Sequence, residues 1–161
     1  MNGFKEVFER LLNLSSGERS ALRHKAGRAL DEADGMALQA LFRVMPGSVA
    51  PADYGKWFTI LTIACLWNVN EVTRFVDMPE MLRECASECM DRRIRALLDT
   101  RWDDAGYFAG KLARIAHMLR AKDQWTMPDG WLLLDDLKKW NYDSRSAQLR
   151  WARKYYLDVE E

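Results

Sequence analysis

Cys85 and Cys89 stand four residues apart in a stretch that reads as helix, a spacing that lets two thiolates share one face and reach one metal ion. Tetrahedral zinc needs two further ligands. His24 and His117 are the only histidines, lie far off in sequence and sit in no paired motif, so the cysteines read as small packed helix residues. No base is placed beside a nucleophile. The carboxylates fall at helix starts and on helix surfaces, with no spacing that pairs them for glycoside or metal chemistry. Neither G-x-G-x-x-G nor a lysine-ended phosphate loop occurs. No catalytic residue, cofactor, metal or small-molecule substrate is therefore assigned.

The basic clusters offer a different chemistry, contact with phosphate. In the stretch from Leu132 to Tyr156, Arg150, Arg153 and Lys154 lie at i, i+3 and i+4 of a predicted helix and are expected to form one outward cationic face. Lys138 and Lys139 are discounted, because Asp135, three and four residues before them, and Asp136, three before Lys139, can neutralise them. Lys111, Arg114 and His117 form a drifting stripe on another helix, with Arg120 near its end, and Arg92, Arg93 and Arg95 crowd the segment RRIRALL. Trp140, Trp151 and Tyr155 read as packing residues, whereas Trp102, Trp125 and Trp131 flank helix ends and are expected to be more exposed. The residues alone leave two uses open: a surface that holds nucleic acid, or a helical adaptor that binds only protein through its exposed tryptophans.

Helices must position these groups, and the chain reads as helices nearly throughout. Phe4, Val7, Phe8, Leu11 and Leu12 recur at helical spacing in a short first helix. Ser15 with Glu18 makes a capping box for a second that runs to about Ala26. Asp34-Gly35 precedes a third, whose expected inner face is Ala37, Leu38, Leu41, Phe42 and Met45. Pro51 starts a fourth, with Trp57, Ile60, Leu61, Ala64 and Trp67. Asp77 and Pro79 start a single helix through Leu82, Ala86, Met90, Ile94 and Leu97. Thr100 with Asp103 starts a long helix with an apolar stripe of Phe108, Leu112, Ile115, Ala116 and Leu119. Thr126 to Asp129 starts the next, and Asp143 or Ser144 caps the last. Residues 68–80 form the weakest region, a joint between an expected N-terminal lobe, 1–75, and a C-terminal lobe with a basic surface, 76–161. The expected fold is all-α, two small helical bundles packed in one compact chain.

With 161 residues and 48% apolar content, the chain has enough material for a core without staples. Three cysteines and no leader pattern predict a reducing, cytoplasmic setting, and no apolar run is long enough to cross a membrane. The 24 basic and 24 acidic residues balance overall but not locally. Residues 1–91 hold 10 basic and 13 acidic side chains, residues 92–154 hold 14 and 8, and residues 155–161 hold three acids alone. Screening beyond about 10 Å lets the middle stretch keep a local positive field.

The runs LSSGERSALRHKAG from Leu14, ALQALFRVMP from Ala37, RRIRALL from Arg92, LARIAHMLRAKD from Leu112, LLLDDLKKW from Leu132 and LRWARKYY from Leu149 come in an order and spacing that carry a family resemblance. The chain resembles the CasB family, the small subunit of type I-E CRISPR Cascade complexes. The resemblance covers most of residues 14–67 and 92–157. It implies an all-helical, non-catalytic protein of two small bundles, in an antiviral assembly with other Cascade subunits and a second copy of itself. Its expected contacts are with crRNA-paired target DNA and the displaced single strand, whose opened loop it steadies.

By motif match the resemblance points to Arg19 and Arg23 in GERSALR, Arg43 in ALFRVMP, and Arg92, Arg93 and Arg95 in RRIRALL. It also points to Lys111 and Arg114 around LARIAHML, Arg120 after them, and Arg150 and Arg153 in LRWAR. Lys154 joins them from its place on the predicted outward face. Arginine suits the task because its planar fork pairs with phosphate without reading base identity. The neutral overall charge, and Ala113, Ala116 and His117 where the family has more arginine, predict that binding depends on assembly with neighbouring subunits.

Overall fold

The computed structural model describes residues 3–67, 74–120 and 126–157. Helix α1, Gly3–Leu12, turns Phe4, Val7, Phe8 and Leu11 inward. Helix α2, Ser16–His24, starts on the expected box: Ser15 accepts from the Glu18 amide at 3.1 Å, and Glu18 accepts from the Ser15 amide at 3.0 Å. Helix α3, Gly35–Val44, is capped by Asp34. Its inner face differs from the expected one: Ala37, Ala40, Leu41 and Val44 are buried, while Leu38 and Phe42 are 39% and 52% exposed. The physical reason is close approach. α3 packs on α2 with Ala37 and Ala40 fully buried, while the bulkier Leu38 and Phe42 are turned outward, Phe42 against the Tyr54 ring at 5.1 Å.

After a 3-10 turn at Pro51–Asp53, helix α4, Tyr54–Ala64, is buried on every side from Trp57 onward and passes into a second turn, Cys65–Trp67. A helix apolar all round belongs at the centre of a molecule. α4 packs against α2, α3, α7 and α8, the last two defined below.

The predicted single helix from Asp77 to Leu97 is two: α5, Met78–Glu84, and α6, Glu88–Leu98. Ser87 breaks it by accepting from the Met90 amide at 3.0 Å, a local cap that competes with continuous helix. Cys85 therefore ends α5 while Cys89 lies within α6, so the two thiols share no helix face. Helix α7, Tyr107–Arg120, starts later than expected. Thr100 belongs to the end of α6, where its hydroxyl donates to the Ala96 carbonyl, and Asp103 accepts from the amides of Ala105, Gly106 and Tyr107. The stripe Phe108, Leu112, Ile115, Ala116 and Leu119 is buried as expected.

Helix α8, Gly130–Lys139, is capped by Asp129, and α9 spans Ser146–Tyr156. Neither Asp143 nor Ser144 caps α9: Arg145 occupies that position at φ 57°, with no side-chain cap. A short parallel pair, β1 at Arg74–Val76 and β2 at Thr126–Pro128, sets Phe75 opposite Met127. The expected lobe boundary at 75/76 falls within β1. One hydrophobic cluster runs from Phe4 to Tyr155, and the fold is all-α apart from this ribbon.

Candidate nucleic-acid interface

Among the described side chains the predicted cations fall into three groups: paired with carboxylates, half-buried without an ion pair, and exposed. On α2 the acid is internal: Glu18, 2% exposed, accepts from Gln39 at 2.9 Å and Arg43 at 3.0 Å as well as closing its cap. The Gln39 hydrogen bond and the Ser15 amide hold its carboxyl down at about 2. Arg43 is thereby engaged, with its side chain still largely in solvent. Arg19 and Arg23 are half-buried and make no ion pair among the described residues. With Ser16, Leu12 and Cys65 they line a cavity of about 150 Å³. Burial pushes the Cys65 thiol up to about 12, against the pull of both arginines.

α7 is 14 residues long and carries no Asp or Glu. Once the apolar stripe is buried, its free side presents Arg114 and His117, both exposed, and Lys111, whose ammonium lies 4.7 Å from the Tyr107 ring centroid. Arg120 closes the helix, and its side chain lies outside the described residues. Gly27, at φ 86°, brings the chain after α2 onto this helix: a Cβ there would stand 3.3 Å from the Ala113 Cβ. The end of α2 and the middle of α7 are therefore neighbours, and α6 packs along α7.

α6 is mixed. Arg92 and Arg95 are exposed, and Arg93 is half-buried. The Arg93 hydrogen bond lowers the Cys89 thiol pKa, assisted by the charges of Arg93 and Arg92, while Arg93 Nε is buried without an acceptor among the described residues. Asp91 is occupied by the Tyr155 hydroxyl, which donates to it at 2.6 Å.

The outward face predicted on α9 is corrected. Arg150 is gripped by Asp77 and Asp136, which receive its Nε and both terminal nitrogens, and Asp136 also accepts from the Trp151 indole at 2.8 Å. Lys154 donates to Glu80 at 2.6 Å and lies 3.4 Å from Asp77. Desolvation opposes the Arg150 charge, but the hydrogen bonds to Asp77 and Asp136 outweigh it and hold the guanidinium above the ordinary arginine range. Burial raises the Asp136 carboxyl, against those same bonds. Only Arg153 of the three points freely outward. The physical reason is long-range: α5 packs on α9 and brings Asp77 and Glu80 from more than 70 residues away.

Trp140 and Trp151 are buried and meet edge to face at 5.4 Å, and Tyr155 is buried as well, with its ring against Tyr156. Trp131 is 38% exposed, yet it meets Trp57 edge to face at 5.1 Å; Trp125 lies outside the described residues. Lys139 pairs with Asp135 as the spacing predicted, whereas Lys138 reaches Asp53. Asp136 turns inward instead. Sequence reasoning gave Asp136 to Lys138 and Lys139 rather than to Arg150 and missed Asp77, Glu80 and Glu18 as counterions, although Asp136 signals its burial by standing between Leu133 and Trp140 on an apolar helix face.

Fold and site together define an all-α protein with surface arginines. Among the described residues no group of three or more His, Cys, Asp or Glu is placed to hold a metal ion, and no helix is long and apolar enough to cross a membrane. The chain belongs to the family of CRISPR-associated protein Cse2, whose sequence model matches residues 18–156. This agrees with the resemblance read from the motifs. Solved structures share the fold: CasB from Thermus thermophilus, 24% identical, with TM-score 0.68 over 97% of this chain and 99% of that one, and M. ruber CasB, 14% identical, with TM-score 0.66 over 93% and 90%. A chain of a CRISPR RNA-guided surveillance complex matches at 19% identity and TM-score 0.68 over 94% of this chain and 89% of its own. Among curated protein sequences none matches.

Proposed function

We propose that this protein is the non-catalytic small subunit of a type I-E CRISPR RNA-guided surveillance assembly in the cytoplasm. Other subunits and a second copy of itself are its protein partners. Its role is to hold DNA backbone, the target strand or the displaced strand, and so to stabilise the opened loop. The observation that carries the DNA part is α7, whose Lys111, Arg114 and Arg120 stand in a helix without a carboxylate; Arg19 and Arg23 of α2, which make no ion pair among the described residues, are taken with it because Gly27, just after α2, packs on α7. The reading also takes in Arg92 and Arg95, exposed on α6, which packs along α7, the exposed Arg153 of α9, the half-buried Arg93, and Arg43, which is paired with Glu18. Phosphate contacts of this kind position a strand without reading its sequence.

The test is charge reversal in the reconstituted assembly. Arg23→Glu with Arg114→Glu shortens the lifetime of the opened loop and lowers the salt slope of single-strand binding by about 0.7 for each phosphate no longer neutralised. An unchanged lifetime at every salt concentration would show that this surface is not the path.

One observation favours the adaptor reading. Met36, Leu38 and Phe42 of α3 are exposed, and large exposed apolar groups mark protein contacts. In that reading Phe42→Glu prevents assembly while the arginine reversals change nothing.

A further inference from the structure

A second cavity, of about 260 Å³, opens between the residues that follow α6 and the start of α9. That is just under the size usual for drug-like ligands, and so on the scale of one small heterocycle. Gln148 lines it and is 7% exposed; its Nε2 donates to the Trp140 carbonyl at 2.6 Å, while its Oε1 is buried and accepts no hydrogen bond among the described residues. A buried acceptor left unmade costs about 1–3 kcal/mol, so an occupant carrying a donor is favoured there.

Three further features define that occupant. Arg145 and Gln148, both in the lining, bracket the first turn of α9, whose amides no N-cap side chain occupies. The charged lining balances, Arg101 and Arg145 against Asp99 and Asp143, which selects a neutral polar group over a bare anion. Tyr142, 53% exposed, stands in the wall and supplies a stacking face. Neutral, planar, with a donor beside an acceptor: this is the edge of a nucleobase.

We propose that this cavity receives one unpaired nucleobase bearing an exocyclic amine, the amine donating to Gln148 Oε1 and a ring acceptor meeting the first-turn amides of α9. The inference rests on the reading of the protein as a single-strand binder and adds to it a base contact. Cytosine and adenine present an amine donor beside a ring-nitrogen acceptor, whereas thymine at the same two positions presents the O4 acceptor beside the N3–H donor, the reverse order, which would set a carbonyl against Gln148 Oε1.

The experiment is an NMR titration of the full chain with free 2′-deoxycytidine and with thymidine, read at the Gln148 side-chain amide. The amide shifts saturably with deoxycytidine, and thymidine binds about threefold to tenfold more weakly, the range one hydrogen bond supplies. Tyr142→Ala weakens both nucleosides, and because that ring is exposed the variant keeps its fold. Gln148→Met removes the difference between them. An amide that responds to neither nucleoside, or equally to both, overturns the proposal and leaves the cavity to a bridging water. Strand binding separates this from the reading beneath it. Equal affinity for oligo-dC and oligo-dT, sensitive to Arg114→Glu, keeps the backbone contact and discards the base pocket. If the assembled complex binds no strand, the backbone reading falls; a saturable, base-selective shift at Gln148 would survive it as nucleoside binding alone.

Discussion

α7 holds Lys111, Arg114 and Arg120 in a helix without a single carboxylate, whereas α9 holds Arg150 and Lys154 against Asp77, Glu80 and Asp136, contributed by α5, its N-cap and α8. In sequence the two helices give the same signal, basic residues spaced three and four apart. In the fold they do opposite work. α9 uses its cations to join three helices, and its outer side is left with Leu149, Arg153 and Tyr156. α7 uses alanines and aliphatic residues for packing, which leaves Arg114 exposed and Lys111 over the Tyr107 ring rather than in an ion pair among the described residues. A cation already satisfied by buried carboxylates cannot add to phosphate affinity without giving up those bonds, so the count of basic residues overstates the binding surface on α9.

The largest effect that can break this comparison is on stability. Arg150→Met leaves Asp77 and Asp136 buried without their main partner, at a cost of about 3 kcal/mol, the low end for such a pair because the guanidinium side chain is 31% exposed. Denaturant unfolding measures it. Adding Asp77→Asn and Asp136→Asn recovers part of the loss, since neutral groups need no counterion. An unshifted midpoint for Arg150→Met means that the cage is not holding α9.

α2 lies between the two cases, and pH sharpens it. Glu18 has its carboxyl lowered from 4.5 to about 2 by Gln39, by the Ser15 amide and hydroxyl, and by Arg43. Because the folded value lies below the unfolded one, the stability it contributes is complete above about 4.5 and is lost as pH falls toward 2. Thermal unfolding of the protein therefore becomes steeply pH-dependent in that window, and Glu18→Gln flattens the dependence. An identical profile for the variant would assign the acid response to other carboxylates.

What could be read from the sequence was what is local. The Ser15–Glu18 box and the stripe of α7 need only residues within a few turns of one another, and both are present. The face of α3 was misjudged because hydrophobicity favours Leu38 and Phe42, while the fold buries the small Ala37 and Ala40 instead. The ion cage of α9 and the pairing of β1 with β2 join residues 73 and about 50 positions apart, and no spacing rule reaches that far. The cavity beside Gln148 is of the same kind, assembled from two connections that adjoin only once α6, α8 and α9 are packed.

The smallest effect tests the other half of the comparison. Arg114 is exposed on a helix without acids and makes no ion pair among the described residues, so nothing in the fold depends on it. Arg114→Ala should leave the unfolding free energy within about 0.5 kcal/mol, the usual span for a surface position without a partner. Arginine and alanine are both good helix formers, which removes propensity as a confounding cause. The same variant weakens single-strand binding by the assembly and reduces its salt dependence, so stability and binding separate at Arg114, whereas at Arg150 the loss falls on stability. A destabilisation by Arg114→Ala comparable to that of Arg150→Met would mean that α7 also spends its cations inside the molecule.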